Sequence, residues 1–172
     1  MTSLDHEQQL VGALLDAHAM EEQSLQTLEA AVKVAGDPRL EALYRGHVAE
    51  TERHLELIKE RIEAHDASRS LVKDLAGRVS ALVLGVGVVA QKNTAAKLVA
   101  VAYGYESFEV ASYEMLRRLA EQAGDAETVG AIDRILVNER QAVAKLGASY
   151  DLALRAAGLV EHEPGPEAGG ER

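Results

Sequence analysis

Residues 43–61 read LYRGHVAETERHLELIKER. The spacing of this stretch predicts a helix with one apolar face, on which Leu43 and Leu57 lie. Between these two leucines the same face carries His47, Glu50 and His54. Carboxylates in an apolar interior are very unfavourable unless cations or hydrogen-bond partners accompany them. We therefore expect these polar side chains to meet others from neighbouring helices.

Three other stretches show the same pattern, an apolar stripe at 3.6-residue spacing that polar side chains interrupt near its middle. The interrupting residues are His18 and Glu21 in the first stretch, Glu106, Glu109 and Tyr113 in the third, and Glu139 in the fourth. With the stretch quoted above, five Glu and three His converge from four helices. A helix bundle uses this arrangement to hold two metal ions, so the sequence predicts an all-α, ferritin-like four-helix bundle with a dimetal site.

Turn and capping residues set the expected bounds of the helices. The first helix should run from Ser3 or Asp5 to Ala35, the second from Asp37 to about His65, the third from about Thr94 to just before Gly124, and the fourth from Asp125 to about Ala157. Residues 66–93 are less regular and predict a crossover that contains one or two short helices. A single domain should thus span residues 1–160, followed by a disordered acidic tail at 161–172.

An internal repeat supports this division. Ala35-Gly36-Asp37 recurs as Ala123-Gly124-Asp125, 88 residues later, and at the same offset Glu21 falls on Glu109. The two halves look like duplicated helical hairpins, so the second and third helices must run parallel and a crossover must join them. The carboxylates of all four helices lie roughly 20 Å from a turn, which places them at one level of the bundle.

Composition limits the classes of function. Hydrophobic residues make up 47% of the 172 residues and aromatic residues 3%, which favours a helical bundle. The absence of cysteine excludes disulfides, thiolate metal sites and cysteine nucleophiles, and it fits a reducing compartment. A net charge of −10 without a basic cluster argues against nucleic acid and anionic membranes as partners. Because the N-terminus lacks a signal-peptide pattern, we expect a cytoplasmic protein.

The longest apolar run, VSALVLGVGVVA at residues 79–90, lies in the expected crossover. A membrane span needs about 20 residues, so this run is too short for one. We expect a buried or interface segment, and a homodimer through it is a hypothesis.

Iron and manganese prefer the carboxylate and imidazole ligands that converge here. Two such ions would neutralise the charge of about −5 that the five carboxylates bring into the core. The expected carboxylate ligands are Glu50 and Glu139 in bridging or terminal positions, and then Glu21, Glu106 and Glu109. His54 is the first candidate for an imidazole ligand, while His18 and His47 are alternative ligands or outer hydrogen-bond donors. Tyr113 could hydrogen-bond a ligand, although packing alone would also explain it.

Three motifs resemble the YciE/YciF-type ferritin-like stress proteins. They are His47-Val-Ala-Glu50-Thr51-Glu-Arg-His54, Glu106-Ser-Phe-Glu109-Val-Ala-Ser-Tyr113 and Leu136-Val-Asn-Glu139-Arg. Residues 91–98, QKNTAAKL, resemble the actinobacterial branch of that family. The resemblance covers roughly residues 10–155. It implies a rubrerythrin- or ferritin-like bundle with a dimetal site and a link to stress.

The sequence departs from the best-known di-iron pattern, which pairs Glu-x-x-His on two helices. Arg53 follows Glu50 by three residues, and Ala142 follows Glu139 by three. Several functions therefore stay open. The protein could be a redox protein that oxidises Fe(II) or consumes peroxide, with iron or manganese as the metal. It could instead be a metal-binding or structural protein without turnover, or an interaction module that uses the 79–90 run.

Overall fold

The computed structural model describes residues 3–65 and 94–160, and every regular element along them is a helix. The helices are α1 (Ser3–Val34), α2 (Pro38–Ala64), α3 (Thr94–Ala123), α4 (Ala126–Gly147) and α5 (Tyr150–Ala156). The all-α prediction is confirmed, and α1 to α3 end close to the expected residues. The predicted crossover at 66–93, its apolar run at 79–90 and the predicted tail at 161–172 lie outside the described residues.

Two Gly-Asp pairs end one helix and begin the next. Gly36 and Gly124 have φ angles of 74° and 76°, in the left-handed region that glycine adopts without a steric penalty. Asp37 then accepts a hydrogen bond from the backbone N–H of Arg39 at 2.7 Å. Asp125 accepts one from the backbone N–H of Thr128 at 2.9 Å. Both aspartates thus cap a helix N-terminus, as the sequence predicts.

The fourth helix is shorter than expected. The pattern predicted one helix to about Ala157, but α4 ends at Gly147 and α5 begins at Tyr150. Glycine weakens a helix, and the Ser149 hydroxyl satisfies the Leu146 carbonyl at 2.8 Å, so the chain can turn here. This turn lets α5 pack against α3.

Contacts at the two ends of the bundle establish the direction of each helix. His65 Nε2, just after α2, lies 2.9 Å from the carboxylate of Asp125, just before α4. At the opposite end, Leu40 of α2 belongs to the same apolar cluster as Ala95 and Leu98 of α3. The helices α2 and α3 therefore start at the same end and run parallel. This is the one-crossover arrangement that the internal repeat predicts.

Two apolar clusters fill the interior, one towards each end of the bundle. The first, at the end where α3 turns into α4, includes Leu14, Ile58, Leu116, Ile132 and Leu136. The second, at the end where α1 turns into α2, includes Leu28, Leu40, Leu98 and Leu146. Along α1, α2 and α4, the residues Glu21, His47, His54 and Glu139 lie between these clusters. On α3, Glu106 and Glu109 lie between Tyr105 and Tyr113 of the first cluster, and His18 of α1 lies between Ala17 and Met20 of that cluster. No helix in the described ranges combines the length and the apolar character that a membrane span needs.

Candidate metal centre

Six acidic and imidazole side chains fill the space between the two apolar clusters, and we call them the polar layer. They are Glu21 from α1, His47 and His54 from α2, Glu106 and Glu109 from α3, and Glu139 from α4. None of the six is more than 5% exposed. Because the six side chains are buried away from bulk water, each charge in the layer needs a partner within the protein or a bound cation.

One group of donors surrounds His47. Its Nε2 lies 2.7 Å from an oxygen of Glu106 and 3.8 Å from an oxygen of Glu139. One donor atom from each of His47, Glu106, Glu109 and Glu139 lies within 4.8 Å of the other three. Ligands on opposite sides of one metal ion are about 4–5 Å apart. This group is therefore compact enough to hold one ion.

A second group surrounds His54. Its Nδ1 lies 2.8 Å from an oxygen of Glu139 and 3.3 Å from an oxygen of Glu21. Donor atoms of these three residues also lie within 4.8 Å of one another. The other ring nitrogen of His54 lies 3.4 Å from the Oδ1 of Asn138, which helps to hold the ring. Glu139 belongs to both groups, because one of its oxygens lies 2.8 Å from His54 and the other lies 3.8 Å from His47.

Glu109 is the carboxylate of the layer that lacks a partner. Neither of its oxygens accepts a hydrogen bond from any described residue, whereas Glu139 has the contact of 2.8 Å with the ring of His54. Burial raises the pKa of Glu109 well above its ordinary value, and the negative charge of Glu106 adds to this effect. Burial also raises the pKa of Glu139 to about 7, although His54 opposes the shift. A bound cation would give the oxygens of Glu109 the partner they lack, so the donor set fits a metal site.

The neighbouring carboxylates favour the protonated, positively charged form of both histidines in the layer. Burial opposes the protonation of His47, but the carboxylate of Glu106 outweighs it and raises the pKa of the ring to about 9. Burial likewise opposes the protonation of His54, and Glu139 and Glu21 raise the pKa of this ring to about 10. Without a metal ion, both rings are protonated at neutral pH. A metal ion that binds them must displace those protons.

Two of the predicted ligands, Glu50 and His18, lie outside both groups. Glu50 is 15% exposed, and one of its oxygens accepts a hydrogen bond from Nδ1 of His47 at 3.1 Å. Its other oxygen lies 3.4 Å from the ammonium nitrogen of Lys145. His18 is 19% exposed and lies 3.8 Å from a carboxylate oxygen of Glu22. Glu50 thus holds the ring of His47 from outside, as a carboxylate behind a metal-binding imidazole does.

Four buried hydroxyl groups lie next to the layer, and the sequence analysis identified only that of Tyr113. Tyr113 is fully buried, and its hydroxyl donates a hydrogen bond to Glu21. The hydroxyls of Ser24, Tyr44 and Thr51 are also buried, and they have no partner among the described side chains and backbone. Each lies three or four residues from a member of the layer, on the same helix face. The spacing of three or four residues could have identified these hydroxyls from the sequence. Buried hydroxyl residues at this spacing are also common in ordinary protein cores, however, so the spacing alone is not specific.

A family model places the chain among known proteins. The model described as Domain of unknown function (DUF892) matches residues 5–157. The chain belongs to this family. The match spans all three motifs that resemble the YciE/YciF-type proteins, and this resemblance is confirmed.

Three solved structures share the fold of this DUF892 chain. A protein from Xanthomonas campestris pv. campestris is 22% identical, with a TM-score of 0.73 over 89% of this chain and 95% of that one. The E. coli stress protein YciF is 22% identical, with a TM-score of 0.64 over 89% and 97%. The bacterioferritin of Desulfovibrio desulfuricans, a protein with a diiron site, is 15% identical, with a TM-score of 0.70 over 99% of each chain. The ferritin-like fold is therefore confirmed.

The DUF892 chain obtains both imidazoles of its layer from one helix. Ala142, at the position where a second Glu-x-x-His motif would place its histidine, is 4% exposed and carries no donor. His47 and His54, both from α2, instead reach the two groups that share Glu139. The departure from the usual di-iron pattern thus leaves one imidazole in each group.

Proposed function

We propose that the protein binds two metal ions in its polar layer and that the physiological metal is iron. The observation that carries this proposal is the state of Glu109, which is fully buried and has no hydrogen-bond partner for either oxygen among the described residues. An unpaired carboxylate in a protein core is very costly. The four buried carboxylates of the layer carry the charge that two divalent ions would neutralise.

The donors divide between the two ions. His47, Glu106 and Glu109 would hold one ion, Glu21 and His54 would hold the other, and Glu139 would contact both. Carboxylate and imidazole donors suit iron, and manganese is the alternative metal. Iron bound there would supply one-electron exchange between its Fe(II) and Fe(III) states.

We further propose that the site serves a redox reaction, either the oxidation of Fe(II) or the consumption of peroxide. The two reactions are joined when hydrogen peroxide is the oxidant of Fe(II). In the joined reaction two Fe(II) ions would lose one electron each, and the peroxide would take up both electrons and two protons to give two molecules of water. The apolar clusters on both sides of the layer exclude bulk water from this chemistry. Tyr113 holds Glu21 in place, and Glu50 holds His47. A role in the stress response is supported by the description of YciF as a stress protein.

A second candidate is a structural layer that works without a metal ion. It is favoured by the ion pairs that already exist, His47 with Glu106 at 2.7 Å and His54 with Glu139 at 2.8 Å. In this case Glu109 would keep its proton and the layer would serve only to hold the helices in register.

Elemental analysis separates the two candidates. Protein purified without a chelator, and again after loading with Fe(II) under argon, should contain about two iron or manganese ions per chain. Glu109→Ala should lose at least one of them. Glu121→Ala, which removes an exposed carboxylate from the same helix, should keep both. A wild-type protein that holds no metal under either condition would establish the structural candidate.

A further inference from the structure

A short row of charged side chains leads from solvent to the polar layer between α2 and α4. Lys145 at the surface is 53% exposed, Glu50 is 15% exposed and His47 is 5% exposed. Glu50 contacts both of its neighbours in this row, at 3.4 Å to the Lys145 ammonium group and at 3.1 Å to His47. His47 in turn contacts Glu106 in the interior at 2.7 Å. One half-buried carboxylate therefore joins the surface to the first group of donors.

A narrow pocket accompanies this row. Glu50, Lys145, His47 and Tyr44 line its polar side, and its apolar side consists of Ala142 and the leucines Leu28, Leu43 and Leu146. Its empty space is about 270 Å³, including its opening to solvent. Its enclosed part has room for about one water-sized molecule. The hydroxyl of Tyr44 is buried there without a partner among the described residues. The small side chain of Ala142 leaves open the space that a larger residue would fill.

We infer that metal ions reach the polar layer through this pocket, with Glu50 as the first ligand that an incoming ion meets and Lys145 as the charge that the ion displaces. The inference rests on the proposed binding of metal in the layer. A partly exposed Lys–Glu pair is weak, so a divalent ion can take the place of the ammonium group. The unpaired Tyr44 hydroxyl gives the ion an oxygen as it loses water. From Glu50 the ion passes to His47 and Glu106, the next donors along the row.

The rate of metal loading tests this route. Co(II) is mixed with full-length, metal-free protein in a stopped-flow instrument, and its absorption change reports coordination. Glu50→Gln keeps an oxygen that can accept the hydrogen bond of His47 but removes the charge, so it should slow loading by about tenfold or more. Lys145→Met removes the competing charge and should speed loading by about threefold or more. Lys145→Met should bind as many Co(II) ions at equilibrium as the wild type.

A matched control comes from another exposed pair on the bundle. Lys59 is 55% exposed and contacts Glu56, away from the pocket, so Lys59→Met should load at the wild-type rate. Ala142→Val, which narrows the pocket without a change of charge, should slow loading.

Two results would overturn the inference. One is wild-type loading rates in both Glu50→Gln and Lys145→Met. The other is the loss of a bound ion in Glu50→Gln, which would make Glu50 a permanent ligand. A wild-type protein that binds no Co(II), Fe(II) or Mn(II) at all would instead refute the proposed function itself.

Discussion

Replacement of Glu109 by methionine should make the metal-free protein more stable. The side chain of Glu109 is fully buried, and both of its oxygens lack a partner among the residues that the structure describes. A buried polar group without a hydrogen bond costs about 1–3 kcal/mol, and an apolar side chain of similar length removes that cost. We therefore expect Glu109→Met to raise the free energy of unfolding by about 1–3 kcal/mol in the presence of a chelator.

Bound metal should make the wild type more stable than Glu109→Met. At a free metal concentration one thousand times its Kd, each site that binds only the folded state adds about 4.1 kcal/mol. The wild type should gain this contribution from both groups of donors, whereas the variant lacks one carboxylate of the first group. In saturating metal the wild type should thus be the more stable protein.

Urea unfolding, followed by circular dichroism with chelator and then with Mn(II), measures both effects. Glu121→Met, a change at an exposed position of α3, should shift the free energy of unfolding by less than about 0.5 kcal/mol in either condition. The pKa of Glu109 lies above its ordinary value of 4.5 in the folded state, so the cost of Glu109 grows as the pH rises above 4.5. The advantage of the variant in chelator should therefore shrink towards pH 5. A variant less stable than the wild type in chelator would refute this reasoning.

Three further predictions concern residues around the layer and at the turn. The pKa of His54 is about 10 against an ordinary value of 6.5, so its contribution to the stability of the metal-free protein is complete below pH 6.5 and is lost as the pH rises towards 10. Urea unfolding in chelator across this range should show the decrease. Asp125→Ala removes the N-cap of α4 and should lower the free energy of unfolding by about 1–2 kcal/mol, measured the same way, with an unchanged metal content. Tyr113→Phe removes the hydroxyl that donates to Glu21 and should cost about 1–2 kcal/mol in chelator, and unchanged stability would show that this hydrogen bond contributes nothing.

Local rules were enough to predict the helices and their turns. The repeated Ala-Gly-Asp at residues 35–37 and 123–125 marks two turns in which glycine takes a positive φ and aspartate caps the next helix. Both signals depend on neighbours within a few residues, so no tertiary information was needed. The break after α4 was missed because Gly147 and Ser149 are tolerated inside many helices. The helix ends at these residues because α5 packs against α3, which is a tertiary contact.

The layer was harder to predict because the width of the buried face depends on the packing of neighbouring helices. At about 100° per residue, Glu50 lies about 60° from His47 around α2, on the side away from Thr51. The centre of the buried face lies between His47 and Thr51, so Glu50 falls at its edge. His18, which is 19% exposed, likewise lies at an edge of the buried face of α1. A spacing of three or four residues cannot separate the centre of a face from its edge.

The spacing predicted that polar side chains of the four helices converge, but it could not predict which atoms of different helices lie in contact. The sharing of Glu139 between two groups, and the contact of Lys145 with Glu50, join residues of different helices. Their positions depend on how far each helix is rotated about its axis. Nothing in the local pattern reports that rotation.

Anomalous diffraction would show directly whether two iron ions lie in the polar layer. Crystals of the full-length protein, grown after loading with Fe(II), should be measured on both sides of the iron absorption edge. We expect two iron peaks in the polar layer, one beside His47, Glu106 and Glu109 and the other beside Glu21 and His54, with Glu139 in contact with both. An anomalous map without an iron peak between the two apolar clusters would contradict this expectation.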